Sequence, residues 1–294
     1  MKNTDKIKKE NFLRNVQLKD GERVNAIGQG TWRMGEKHTE RAKEVRALQL
    51  GIDLGMTLID TAEMYGSGGA EIVTGEAVKN IRDKVFIVSK VYPQNAGKKS
   101  AVLSCENSLK RLGTDYIDLY LLHWRGGIPL HETVEVMEQL VKDGKIKRWG
   151  VSNFDTKDME ELWEIPKGSN CAVNQILYHL GSRGIEYDLL AWCREKKLPV
   201  MAYCPVAQGG ALRKGLLANK TVRRIAKERG ISETQVLLAW TVREKDIISI
   251  PKAVQENHIY ENAETAGIFL SEKEIRDIDL EFPAPDTKEW LDIV

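Results

Sequence analysis

Four side chains able to hold or move a proton stand at the ends of successive apolar runs. Asp60 closes Leu58–Asp60, Lys90 closes Val85–Lys90 and His123 closes Tyr116–His123. Tyr65 follows Asp60 by five residues in Asp60-Thr61-Ala62-Glu63-Met64-Tyr65-Gly66. A phenol beside an ammonium and a carboxylate can act as a general acid, and an imidazole can orient an oxygen by hydrogen bonding. A strand-end lysine could alternatively form a Schiff base with a carbonyl. Singly, each residue also has an ordinary explanation. Asp60 could cap a turn, Tyr65-Gly66 could be the turn itself, Lys90 could be solvated, and His123 could be a satisfied, half-buried side chain. Their joint position at consecutive run ends singles them out.

The elements that would position them are legible in the periodicity. Val16–Leu18 and Val24–Ile27 flank Asp20-Gly21, a hairpin signal. Eight short apolar runs follow: one ending near Gly28, then the three above, then Trp149–Ser152, Ala172–Gln175, Pro199–Tyr203 and Ile247–Ile250. Helical stripes fill the gaps. Val102, Cys105, Leu109 and Leu112 lie between the cap candidate Ser100 and Gly113. Val134, Met137 and Leu140-Val141 end at Gly144, and Ile185, Leu189 and Trp192-Cys193 form a third stripe. Ser232 with Gln235, and Ser271 with Glu274, read as capping boxes. The interval from Tyr203 to Ile247 has room for more than one helix, so the seventh unit carries an insertion. Strand–helix alternation of this kind predicts a closed α/β fold, a (β/α)8 TIM barrel with an N-terminal β-hairpin. A doubly wound sheet is the alternative, but no GxGxxG follows the first strand. No linker divides the chain, so residues 1–294 read as one domain. In a barrel the C-terminal strand ends share one rim, which would gather the four residues.

Composition narrows the function classes. The 294 residues are 42% apolar and 30% charged, with a net charge of +1, which offers no field to gather nucleic acid or anionic lipid. The four cysteines form no CxxC pair and read as reduced thiols. The five histidines lack metal-site spacing, so no metal is expected. The charged stretch Met1–Glu10 has no apolar h-region and nowhere do 18 apolar residues run together. The expectation is a cytoplasmic protein with a small-molecule partner.

The ordered set of motifs resembles the aldo-keto reductase family. Gly55-Met56-Thr57-Leu58-Ile59-Asp60-Thr61-Ala62 through Tyr65-Gly66, with Glu71-x-x-x-Gly75, is similar to its first signature. Val88-Ser89-Lys90, Leu121-Leu122-His123-Trp124, Gly150-Val151-Ser152-Asn153-Phe154, Asn174-Gln175, Ala202-Tyr203-Cys204-Pro205 and Ile250-Pro251-Lys252 continue the resemblance along nearly the whole chain. It implies a catalytic tetrad of Asp60, Tyr65, Lys90 and His123, and NADP(H) as cofactor with NAD(H) as the alternative. It implies that Ser152, Asn153 and Gln175 hold the nicotinamide carboxamide, with Tyr203 stacked on the ring. Val206, Gln208 and Gly209 would belong to the pyrophosphate loop. Lys252 and His258 would serve the 2′-phosphate, and Glu261 and Asn262 the adenine. Trp32 and Trp124 would wall the substrate pocket.

The chemistry fits those roles. Reducing a carbonyl needs a proton donor at the developing alkoxide. A cation ~4 Å from the phenol, at an effective dielectric of 20, contributes a few kcal/mol, enough to lower a phenol pKa by roughly three. Asp60 would keep Lys90 charged. Two departures stand out. The usual Lys-Ser-x-x-x-x-Arg of the phosphate site is Lys252-Ala253 followed by His258, which weakens the expected preference for NADP. The proline usual after His-Trp is replaced by Arg125-Gly126-Gly127. The chain after Phe282 is short, which predicts an open pocket. The expected function is reduction of small aldehydes and ketones, 2-oxoaldehydes such as methylglyoxal among them, by a monomer. The alternatives are a non-catalytic nicotinamide-binding sensor subunit and a Schiff-base aldolase using Lys90.

Overall fold

The computed structural model describes residues 14–294; the charged Met1–Glu10 stretch lies outside them. Strands β1 (Asn15–Gln17) and β2 (Arg23–Asn25) form the hairpin, with Val16 opposite Val24. Its turn carries Gly21 at φ +91°. Eight parallel strands follow: β3 (Gln29–Gly30), β4 (Leu58–Asp60), β5 (Phe86–Val91), β6 (Leu119–Leu122), β7 (Trp149–Ser152), β8 (Asn174–Leu177), β9 (Val200–Tyr203) and β10 (Ile247–Ser249). They neighbour one another in chain order. A parallel bridge between Ile27 and Ser249 closes the ring, with the Gly28 N–H 2.8 Å from the Ser249 carbonyl. Sequential order with closure is the barrel; a doubly wound sheet would reverse its order in the middle. The first barrel strand runs to Gly30, two residues past the run end read in the sequence.

Helices α1 (Arg41–Asp53), α2 (Gly69–Val78), α3 (Ser100–Leu112), α4 (Leu130–Lys142), α5 (Thr156–Glu164) and α6 (Leu189–Glu195) alternate with the strands. The interval after β9 holds three, α7 (Gly210–Ala218), α8 (Lys220–Arg229) and α9 (Glu233–Thr241). Helices α10 (Glu256–Glu264) and α11 (Glu272–Glu281) follow β10. Both expected capping boxes form, at Ser232 and at Ser271. Ser100 is not a cap: it is the first residue of α3, and its hydroxyl donates to the Gly97 carbonyl at 3.3 Å. The Ile185 stripe also divides, into a 3-10 turn at Gly184–Glu186 and α6, because Asp188 between them leaves the helical region at φ −142°. Among the described residues no helix is long and apolar enough to cross a membrane, and no three metal-ligating side chains cluster.

Strand parity places the functional side chains. Leu58, Val88, Leu119, Leu121, Val173, Met201 and Ile248 share one buried cluster inside the barrel. Their strand neighbours Ile59, Ile87, Tyr120, Leu122, Val200 and Ile247 join the cluster beneath the helices. Side chains two apart face the same way. Asp60, Lys90, His123, Gln175 and Tyr203 therefore continue the inward face at its C-terminal end, where apolar filling gives way to polar groups.

Beside that face, one buried carboxylate on α2 ties that helix to β5 and to α3. The fully buried Glu71 carboxylate accepts from the Ser89 hydroxyl and from Arg111 Nε, each at 2.5 Å. Removing one partner of a buried pair leaves an uncompensated charge and costs roughly 3–5 kcal/mol. Arg111→Met should therefore lower the thermal midpoint by several degrees. Arg111→Met combined with Glu71→Gln should recover part of the loss. A double variant no more stable than Arg111→Met, as measured by calorimetry, would show that the charge is not what the pair contributes.

Candidate active site

Lys90 lies fully buried at the centre of the rim. Its ammonium donates to Asp60 Oδ2 at 2.7 Å, to the Thr61 carbonyl at 2.9 Å and to Tyr65 Oη at 3.1 Å. Three donors thus meet three acceptors, which makes a buried cation tolerable. The tight reversal after Tyr65 brings the phenol back over Lys90. Gly66 and Gly68 have φ of +56° and +89°, and a Cβ on Gly66 would stand 2.7 Å from the Met34 carbonyl oxygen. Glycine is required there for both conformation and space.

Burial pushes the Tyr65 phenol well above its ordinary pKa, and the Asp60 carboxylate pushes the same way. The expected depression by Lys90 is not what the site gives. Desolvation of a phenolate outweighs the pull of the nearby cation. Burial also lowers the Lys90 pKa, opposed by the Asp60 carboxylate. His123, its ring centroid 5.6 Å from that of Tyr65, is pushed down to about 2 by burial and by the Lys90 charge. It is therefore a neutral imidazole. Its Nδ1 is buried without a partner, which leaves Nε2 as the nitrogen for the cavity.

Asp60, Tyr65 and His123 line the floor of a cavity of about 1220 Å³ at the C-terminal end of the barrel, with Lys90 buried behind them. That exceeds the roughly 300–1,000 Å³ of a single small-molecule site, leaving room for a dinucleotide and a substrate together. Trp32 and Trp124 both line it, and the Trp32 ring meets Tyr65 edge-on at 5.0 Å. Ser152, Asn153, Gln175 and Tyr203 line the adjoining wall. Tyr203 Oη donates to Asn153 Oδ1 at 2.9 Å, and Gln175 Nε2 donates to Asp60 Oδ1 at 2.7 Å. Gln175 is thus tied directly to the carboxylate that holds Lys90. Val206, Gln208, Gly209 and Lys252 also line the cavity.

The wall suits a dinucleotide. Helix α7 has Gly209 as its N-cap residue and no side-chain cap, so its first N–H groups are unclaimed by any capping side chain. Gly209 and Gly210 have open space where a Cβ would stand. A helix N-terminus reached past glycines is a ready site for a pyrophosphate. His258, Glu261 and Asn262 lie on α10 outside the cavity lining. His258 is exposed and Asn262 buried, while a Glu261 carboxylate oxygen accepts from the Ser232 hydroxyl at 3.1 Å.

The pocket is less open than its short tail suggests. Lys288 reaches Asp155 at 2.6 Å and Asp188 at 2.7 Å, and the Ser182 hydroxyl donates to Asp292 at 2.5 Å. These contacts draw the chain back across the rim, so that Ile293 and Val294 line the cavity. His179, Arg33 and Arg213 line it too and were not singled out in the sequence. His179 stands two residues past the end of β8, bonded locally to Gly181 and Ser182, whereas the tail reaches the cavity only through contacts distant in sequence.

The aldo/keto reductase family model matches residues 26–280. A methylglyoxal reductase of Escherichia coli is 55% identical over 279 residues, covering 95% of this chain and 98% of that protein. A glyoxal reductase of Bacillus subtilis is 33% identical, over 90% of this chain and 91% of its own length. The crystal structure of an aldo/keto reductase from Klebsiella pneumoniae in complex with NADP and acetate is similar with a TM-score of 0.94 and 55% identity, covering 96% of this chain and 99% of that one. Matched along most of its length by that family model, and carrying the proton-transfer cluster at the rim of the barrel, the chain belongs to the aldo/keto reductase family.

Proposed function

We propose that the chain is an NADPH-dependent reductase of small aldehydes, methylglyoxal-type 2-oxoaldehydes among them, and of some ketones. It would act as a single-domain monomer in the cytoplasm. The observation that carries this reading is the Asp60–Lys90–Tyr65 cluster opening onto a cavity beside a neutral His123. When bound, the dinucleotide supplies the hydride. Ser152, Asn153, Gln175 and Tyr203 would hold its carboxamide end, Val206 to Gly209 its pyrophosphate, and Lys252 its 2′-phosphate.

The residues of the chain govern the proton. Tyr65, held protonated by its raised pKa, gives its phenolic proton to the carbonyl oxygen as the alcohol forms. The Lys90 ammonium, already donating to Tyr65 Oη, stabilises the phenolate left behind. Asp60 keeps that ammonium in place. His123 Nε2 orients the carbonyl oxygen, and the Trp32 and Trp124 faces exclude water. A Schiff base on Lys90 would need a free amine, whereas all three ammonium hydrogens are already donated. A sensor without turnover would have no use for this proton donor.

Two experiments test the reading. Tyr65→Phe retains the ring contacts with Trp32 and His123 but removes the proton. It should lower kcat for methylglyoxal by about 10²-fold or more while the NADPH dissociation constant stays within twofold. Retention of a tenth of the activity would exclude Tyr65 as the acid. Lys252→Met should weaken NADPH about tenfold and leave NADH unchanged, since only the former carries a 2′-phosphate for a cation to meet. His258→Arg would add a permanent charge on α10 and should tighten NADPH alone. Equal effects on both cofactors, measured by fluorescence quenching, would remove these two residues from the phosphate site.

A further inference from the structure

Glu63 stands between Asp60 and Tyr65 in the tetrad loop, but its side chain faces the next loop. One carboxylate oxygen accepts from the Tyr92 N–H at 2.7 Å and from Asn95 Nδ2 at 3.1 Å. Its own N–H donates to the Lys90 carbonyl at 3.3 Å. The segment it grips, Tyr92 and the 3-10 turn Pro93–Asn95, leaves β5 without a further strand partner to fix it. A single Glu63 oxygen accepts both bonds that close this turn onto the tetrad loop.

That turn is the backing of the substrate wall. The Tyr92 ring meets Trp124 edge-on, perpendicular at 5.9 Å. Two residues past Trp124, a Cβ placed on Gly126 would stand 2.5 Å from the Pro93 side chain. The Arg125-Gly126-Gly127 departure thus has a physical reason: glycine lets the β6 loop lie directly on Pro93. The far side of the same loop is tied to α5 by Arg125, which donates to Asp158 at 2.8 Å and to Glu161 at 2.7 Å. Trp124 is therefore set between two supports, one keyed by Glu63 and one by Arg125. It lines the cavity and stands 4.9 Å from the His123 ring.

We infer that Glu63 is a positioning residue for substrate binding: it fixes the Tyr92–Asn95 turn, and through Tyr92 and Pro93 it sets Trp124 against the bound carbonyl compound. This rests on the reductase reading. Glu63 makes no contact with the Lys90 ammonium, the Tyr65 hydroxyl or the cofactor wall. Its loss should therefore move substrate binding and leave proton transfer and cofactor binding in place.

Three variants test this with NADPH and methylglyoxal. Glu63→Ala removes the acceptor and should raise KM about tenfold, since small misplacements of a binding wall have large effects. Its kcat should stay within threefold, and the NADPH dissociation constant, read by fluorescence quenching without substrate, within twofold. Glu63→Gln keeps an sp² oxygen for both donors and should hold KM within twofold of wild type. Gly126→Ala pushes the same contact from the opposite side and should raise KM in the manner of Glu63→Ala, which keeps the test open if one variant folds poorly. An unchanged KM in Glu63→Ala and Gly126→Ala would overturn the inference. So would a fall in kcat at constant KM, or failure of Glu63→Gln to rescue. Absence of NADPH-dependent turnover in the wild-type protein would instead strike the reductase reading itself.

Discussion

A buried ammonium organises the active end of this barrel. Removing a charge from water costs several kcal/mol even after relaxation, so Lys90 is tolerable only while its acceptors stay in place. Asp60 supplies the compensating charge, Thr61 a carbonyl and Tyr65 a hydroxyl. Asp60 ends β4 and the other two come from the loop that leaves it, which must reverse at Gly66–Gly68 to bring the third acceptor home. The same ammonium helps keep His123 neutral and, on the proposed chemistry, would partner the phenolate after proton loss. Stability and chemistry thus make the same demand on one side chain.

The surrounding structure follows from period-two alternation in short parallel strands. Apolar inward residues fill the barrel up to Leu58, Val88, Leu121 and Met201; the next inward position on each strand is Asp60, Lys90, His123 or Tyr203. The site is the last layer of the core, with polar groups in place of apolar ones. Its side chains are supported from below by packed Leu, Val and Met, and laterally by Glu71, Ser89 and Arg111, which fix α2 to β5 and α3.

Much of this was legible in the sequence because it is local. Strand runs, capping boxes and the positions of Asp60, Lys90 and His123 depend on residues a few places apart. The directions missed are those that depend on distant parts of the chain. The Tyr65 pKa could not be read from its neighbour Lys90, because its burial comes from Trp32, His123 and the walls of the closed barrel. The tail was read as leaving the pocket open, yet Lys288 and Asp292 find partners on three other segments and draw Ile293 and Val294 onto the cavity. Glu63 looked like one residue of a motif, and only the packing of Tyr92 on Trp124 gives it a role.

Two opposed effects act on the Tyr65 phenol, desolvation upward and the Lys90 charge downward, and burial wins in the free protein. A titration of Tyr65 carrying 13C at Cζ, followed by NMR in wild type and in Lys90→Met, separates them. The expected result is a phenol that stays protonated beyond pH 10 in wild type, and to still higher pH once the ammonium is gone. A wild-type phenolate appearing below about pH 9, or a titration indifferent to Lys90, would contradict the claim that a buried, lysine-supported neutral phenol is the proton donor.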